Sequence, residues 1–216
     1  MRTNSKMEKK QNGEDIIQVK APVQKRSRET RRRIVKAARS LFTELGFEET
    51  TTHLIAARAG LSVGGIYAHF KNKEVIFLDI LEMRSKEAYQ ATLDCIDTIC
   101  SDNMPLGQAL EFLFHTWYQV HMKHGKLNQE MQKFCIMNRM AARIHDRWEK
   151  AEGEKILALM QKYQNELQVD DLNTAVVVIA RATHEVFQYL YRERDRVDAM
   201  AVLSSLIVMV KKFLLY

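Results

Sequence analysis

The sequence predicts an all-α chain of about nine helices, and three observations carry that expectation. Only two prolines and eight glycines, the residues that most often break helices, interrupt 216 residues. Leucine, alanine, methionine, glutamate and lysine, all strong helix formers, are plentiful. Apolar residues return at i, i+3, i+4 and i+7 in segment after segment, the spacing of one helical face. With 46% hydrophobic residues, the chain can also bury a proper core.

Taken in order, the first helix is expected over 28–45. There Ile34, Ala37, Ala38, Leu41, Phe42 and Leu45 keep helical spacing, and Gly46 stands where the helix should stop. Thr51 or Thr52 can cap a second, short helix that turns Ile55 and Ala59 inward and ends at Gly60, a residue free to adopt the left-handed conformation. Ser62 can cap a third. Helix, glycine-containing turn and short helix form the outline of a helix-turn-helix, whose second helix offers its N-terminal residues to the DNA major groove. Asn72 then caps a long helix to about Ile99, striped by Phe77, Ile80, Leu81, Arg84, Ala88, Ala91, Cys95 and Ile96. Its roughly 27 residues at about 1.5 Å each reach about 40 Å, enough to join two bodies. The pattern breaks at Asp102–Pro105, and helices follow near 106–123, 127–143 and 146–167.

The last two helices, 171–193 and 196–216, are apolar on two faces. The first carries Leu172, Val176, Ile179, Thr183, Val186 and Leu190 on one stripe and Val177, Ala180, His184, Phe187 and Tyr191 on another. The second carries Met200, Leu203, Ile207, Val210 and Leu214, then Val202, Leu206, Met209 and Phe213. A helix with two apolar faces needs two partners. One is the subunit's own core; the other is a second subunit in a four-helix interface, unless a monomer buries both. Val177, His184, Phe187, Leu203, Ile207 and Val210 are the candidate dimer residues.

Charge is unevenly spread. Residues 1–33 hold eleven Lys/Arg against four Asp/Glu, whereas the remainder holds 22 against 23, so the net +6 belongs to the N-terminus. Such an arm contacts polyanions, nucleic acid first and an anionic membrane surface second, or is a solubilising tail. The cluster KRSRETRRR, which includes Arg28, points to nucleic acid. No signal peptide or membrane-spanning run is visible, since "AMAVLSSLIVMV" is too short, and a cytoplasmic protein is expected. Cys95, Cys100 and Cys135 lack the spacing of a disulfide framework or zinc ribbon. His121, His124 and a cysteine form no tight ligand pattern, so no metal and no cofactor are expected.

Gly64 and Gly65 sit together in the first turn of the third helix. Glycine in a helix costs roughly 1 kcal/mol against alanine, so the pair asks for a reason. Absent side chains let a backbone approach another surface and leave N–H groups facing an anion, as a phosphate backbone would require. Tyr67 and His69 follow as donors at phosphate reach, and Lys73 adds a cation.

Residues 51–74 read T-T-x-x-I-A-x-x-A-G-L-S-x-G-x-I-Y-x-H-F-x-x-K-E, and this stretch resembles the N-terminal signature of TetR-family transcriptional regulators, over about residues 28–80. The resemblance implies a three-helix DNA-binding head with a helix-turn-helix (26–72), preceded by a flexible basic arm (1–25). A C-terminal helical ligand-binding and dimerisation domain (73–216) follows. It assigns Thr52 and His53 to phosphate or base contact, Ser62, Val63, Gly64 and Gly65 to the exposed start of the recognition helix, and Tyr67, His69 and Lys73 to phosphate. Gly65 departs from the family, which most often has threonine there, so a hydroxyl contact is lost. Valine and two glycines leave little direct base readout, and DNA shape and the arm Lys25–Arg33 supply more of the selectivity.

Aromatic and methionine residues are dense between 112 and 160. Trp117, Tyr118, His121, Phe134, Met137 and Trp148 are candidates to line an apolar ligand pocket, the alternative being plain core. The leading reading is therefore a dimeric DNA-binding repressor, partnered by double-stranded DNA and by itself, and released from a palindromic operator by a small, mostly apolar effector. The second is an architectural or protein-interaction factor with the same head and no effector. An enzyme ranks last: no phosphate-binding loop, nucleophile elbow or paired acid and base is present, and His184-Glu185 lacks the second histidine of a zinc protease.

Overall fold

The computed structural model describes residues 15–215, with side chains from Gln24 onward. Among these residues nine α-helices and one 3₁₀ turn make the fold, and the only β-type pairing is an isolated bridge between Leu167 and Leu215. No helix among them is long and apolar enough to cross a membrane.

Helix α1 runs Asp15–Leu45, far earlier than the expected start at 28. The added stretch, DIIQVKAPVQKRS, contains Pro22, and a proline inside a helical pattern reads as a break, so the expected start fell after it. Residues 1–14 of the expected arm lie outside the described residues. Helices α2 (Thr52–Ala59) and α3 (Val63–Tyr67) form as expected. Thr51 Oγ1 accepts from Leu54 N at 3.2 Å, and Gly60 ends α2 at φ +63°, where a Cβ would be strained. Ser62 Oγ accepts from Gly65 N at 3.1 Å, and Asn72 Oδ1 from Val75 N at 3.0 Å, opening α4 (Lys73–Ser101).

Helices α5 (Leu106–Lys123), α6 (Gly125–Met137), α7 (Arg139–Gln161), α8 (Leu172–Arg192) and α9 (Ala199–Leu214) complete the body. The α6–α7 break falls at Asn138, not at 144–145 as expected. Asn138 Oδ1 accepts from both Met140 N and Ala141 N at 3.0 Å, and this cap stops one helix and starts another inside an unbroken apolar pattern. Helix α7 ends at Gln161 because residues 164–166 tighten into a 3₁₀ turn and Leu167 pairs with Leu215.

Two apolar cores result. The first gathers Ile34, Ala38 and Phe42 of α1, Ile55 of α2, Ile66 of α3, Phe77 and Ile80 of α4, and Leu127, Met131 and Phe134 of α6. The head expected to end at residue 72 thus shares its core with α4 and α6. The second core fills the body between α4, α5, α7, α8 and α9.

Candidate nucleic-acid interface and the cavity behind it

The head presents one polar edge built by α2 and α3. Ile66, fully buried, pins α3 to the head and leaves Ser62, Gly64 and Tyr67 outward, with Tyr67 55% exposed. The hydroxyls of Tyr67 and Thr52 lie 3.5 Å apart, so the end of α3 and the start of α2 bring two hydrogen-bonding groups to one point. His53 is exposed beside them, Val63 and His69 are half-buried, and Arg28 is exposed on α1.

The glycine pair has no internal cause. A Cβ on Gly64 would meet only Ser62 Oγ at 3.9 Å, and one on Gly65 would meet Ser62 Oγ at 3.5 Å and Leu61 Cβ at 3.6 Å, all ordinary contacts. The fold would accept side chains at both positions. One part of the expectation needs correction: the Gly65 N–H is taken up by the Ser62 carbonyl and hydroxyl and does not face outward as a bare donor. An N-cap side chain bonds the third N–H of its helix, which is that of Gly65.

Several cations hold the head together. Lys73 Nζ donates to Phe47 O at 2.9 Å and Glu48 O at 3.0 Å and sits 4.4 Å from the Phe47 ring centroid, which clamps the turn after α1. Its ammonium is therefore committed within the head, contrary to the free phosphate contact expected. Arg33 Nη2 donates to Ala59 O at 2.6 Å and Gly60 O at 3.2 Å, satisfying the end of α2, and Arg31 pairs with Asp79 at 2.7 Å. Arg58 forks onto Glu44 at 2.8 and 2.9 Å, and those bonds hold the Glu44 carboxyl down at about 2.

Behind the head lies a cavity of about 600 Å³ between α4, α5, α6, α7 and α8, within the range that holds drug-sized ligands. Of the six residues expected there, Trp117, His121 and Trp148 line it. Tyr118 instead packs its ring on Phe187 at 5.9 Å, Phe134 joins the head core against Phe47 and Phe77, and Met137 is 82% exposed beside the α6–α7 break. A periodic stripe gives a side chain's face but not which neighbour meets it.

Sequence reasoning missed Arg84, Glu152, Thr183 and Gln188 on the cavity wall. The signal for Arg84 was its place within an apolar stripe. Trp117 Nε1 donates to Thr92 Oγ1 at 2.9 Å, and the Thr92 hydroxyl donates to Glu152, whose carboxyl burial pushes up. Burial, helped by His184 and Arg84, pushes His121 down to about 4.

The outward face of the last two helices also differs from expectation. Phe187, Leu203, Ile207 and Val210 are buried in the subunit's own core, and His184 and Phe187 line the cavity. Val177 is exposed as expected, at 60%, and the residues exposed with it are Val178, Met200, Val208, Met209 and Phe213. The two stripes of α9 were assigned to the wrong sides because nothing in their composition separates them.

Comparison with known proteins fits this geometry. The model of the family described as bacterial regulatory proteins, tetR family, matches residues 34–80. The HTH-type transcriptional regulator YerO of Bacillus subtilis is 43% identical over 54 residues, which is 25% of this chain and only 19% of YerO's own length. The HTH-type transcriptional regulator QacR of Staphylococcus aureus is 38% identical over 179 residues, 81% of this chain and 94% of QacR. A crystal structure from Mesorhizobium loti assigned to the same family superposes with TM-score 0.72 at 20% identity, over 87% of this chain and 96% of that one, and shows the shared fold. With the signature sitting on the exposed edge of a helix-turn-helix and the likeness to one regulator extending through the body, this chain belongs to the TetR family of bacterial transcriptional regulators.

Proposed function

We propose that this regulator is a repressor that binds a palindromic operator as a homodimer and leaves it when a small, mostly apolar molecule enters the cavity. The observation that carries the reading is the double duty of α6. One face of it lines the cavity through Asn128, Met131, Gln132 and Cys135. The other holds the head: Lys126 Nζ donates to Glu44 O at 2.7 Å, Glu130 Oε2 accepts from Phe47 N at 2.8 Å, and the Phe134 ring lies 4.6 Å from that of Phe47. A molecule that shifts α6 therefore shifts the head, and by linkage DNA weakens effector binding by the factor that effector weakens DNA binding. An architectural role would need no such cavity.

Thr52, His53, Ser62, Val63, Gly64, Gly65, Tyr67, His69 and Arg28 are proposed to meet DNA, with Lys73 positioning the turn that carries them. The exposed apolar residues of α8 and α9 support a second copy as partner, since two recognition helices about 34 Å apart read a two-fold site. Full-length protein mixed with duplexes from its own promoter region tests this, by fluorescence anisotropy at low and moderate salt together with light scattering. A dimer whose affinity falls steeply with salt is expected. A monomer, or binding insensitive to salt, overturns the proposal.

A further inference from the structure

Arg84 is 6% exposed, on α4 and on the cavity wall. Its Nη2 donates to Val120 O at 3.1 Å, yet Nε and Nη1 have no partner among the described residues. Three other cavity-lining groups share that condition: His121 Nε2, Thr183 Oγ1 and Gln188 Nε2. The guanidinium and the glutamine amide nitrogen can only donate, and the threonine hydroxyl can. Most of the remaining wall is apolar and aromatic, with Leu110, Phe114, Trp117, Trp148 and Ile156, and it also carries Glu149, which pairs with Arg181 at 3.0 Å, and the exposed Glu185.

We propose that the molecule taken by this cavity carries a carboxylate on an apolar body, with the carboxylate paired to Arg84. The inference rests on the reading of the cavity as the effector site and adds the class of effector. The wall's carboxyls raise the opposite choice, a lipophilic cation, but Glu149 is already paired with Arg181 and Glu185 is exposed to solvent, which leaves Glu152 to weigh against Arg84. The two buried groups are not equivalent. A carboxyl escapes the cost of burial by taking up a proton, the direction in which burial moves Glu152, and Thr92 already hydrogen-bonds it. A guanidinium has no such escape and stays charged, so its idle N–H groups call for an anion. Arg84 also stands on the helix that leads to the head, where a ligand that draws on it acts on α4 directly.

Both tryptophans of the chain line the cavity, so tryptophan fluorescence of the full-length protein, excited beyond the tyrosine band, reports on it. Three probes of equal chain length are titrated: dodecanoate, methyl dodecanoate and dodecyltrimethylammonium. Dodecanoate should bind at least about tenfold tighter than the ester, as one charge-assisted hydrogen-bonded pair requires, and the cation should bind weakest. Arg84→Gln should erase the preference while leaving ester affinity within about threefold. Arg84→Lys, which keeps the charge, should retain part of it. Equal or tighter binding of ester or cation, a preference that survives Arg84→Gln, or no binding of dodecanoate overturns the proposal, and the wild-type series decides even if a variant fails to fold. Release of promoter DNA, followed in parallel, separates the two readings. Dodecanoate that binds without releasing DNA sinks the effector role and leaves the ligand class standing, whereas release by the cation does the reverse.

Discussion

Replacing Gly64 by alanine should move stability and DNA binding in opposite directions. The added methyl meets nothing inside the chain closer than Ser62 Oγ at 3.9 Å, and the glycine has no positive φ to protect. Within the fold the change removes the entropic cost of a helical glycine, a gain of about 0.5–1 kcal/mol, or a rise in melting temperature of roughly 1–4 °C for a chain of this size. At the DNA face the same methyl stands where the backbone is proposed to lie against the duplex. Forcing a methyl into a close-packed contact costs about 1–3 kcal/mol, and a dimer presents two of them, so affinity should fall by tenfold or more. Thermal melts followed by circular dichroism and anisotropy titrations on one promoter duplex give the two numbers from one preparation. Affinity unchanged within twofold would mean that the tip does not touch DNA, and a lower melting temperature would mean that the glycine serves the fold after all.

Gly125→Ala should destabilise the body by about 1–3 kcal/mol, because its Cβ would fall 1.9 Å from the Tyr191 ring and drive α6 from α8; an unaltered melting temperature would contradict that packing. His121, held near 4 against an ordinary 6.5, is neutral in the folded chain, so its contribution is whole above pH 6.5 and lost as pH falls toward 4. Urea unfolding at pH 7 and pH 4.5 should show His121→Gln losing about 2–3 kcal/mol less than wild type across that interval, and equal losses would remove the assignment. Val208→Glu places a charge on the exposed apolar face of α9 and should shift the dimer toward monomer in light scattering while leaving the helical spectrum intact; a dimer of unchanged strength would move the interface elsewhere.

The head was largely readable from sequence because its signals are local. Thr51, Ser62 and Asn72 each announce a helix by accepting from a backbone N–H three residues on, and Gly60 ends α2 by its own φ, so no distant residue is needed to find them. The cavity was not, because its walls are made by residues far apart in sequence. Trp117, Trp148 and Arg84 meet only through packing, and an aromatic such as Phe134 on the same kind of stripe turns instead into the head core. The role of Lys73 was hidden for a related reason: a lysine at a helix start looks like a cation awaiting phosphate until the carbonyls of Phe47 and Glu48 are found under it. Polar residues stranded on apolar stripes, as Arg84 and Thr183 are, were the one sequence sign that a stripe faces a cavity and not a solid core.

The proposed release from an operator requires α6 to pass energy to the head, and which of its contacts with the head dominates decides how much it can pass. Its clasps to the turn after α1 are at the edge: Lys126 is exposed, and Glu130 shares its charge with exposed Lys133 at 2.7 Å. Lys126 works in full solvent, where such a bond is weak, whereas the bond from Phe47 N to the largely buried Glu130 is charge-assisted and worth about 1.5–3 kcal/mol. The aromatic cluster adds to it. Phe134 meets Phe77 edge-on at 4.8 Å and Phe47 at 4.6 Å, and Phe77 meets Phe42 edge-on at 4.7 Å, with Phe42 and Phe77 fully buried. Each such pair is worth about 0.5–1.5 kcal/mol beyond its buried area and depends on ring geometry. Disturbing two of them reaches the 1–3 kcal/mol typical of allosteric coupling, without breaking any salt bridge. Phe77 belongs to α4 and Phe134 to α6, both of which also wall the cavity, so the ring cluster is where a displacement of either helix is felt by the head. The Glu130 clasp then sets the register of that contact and shares its energy with the buried rings.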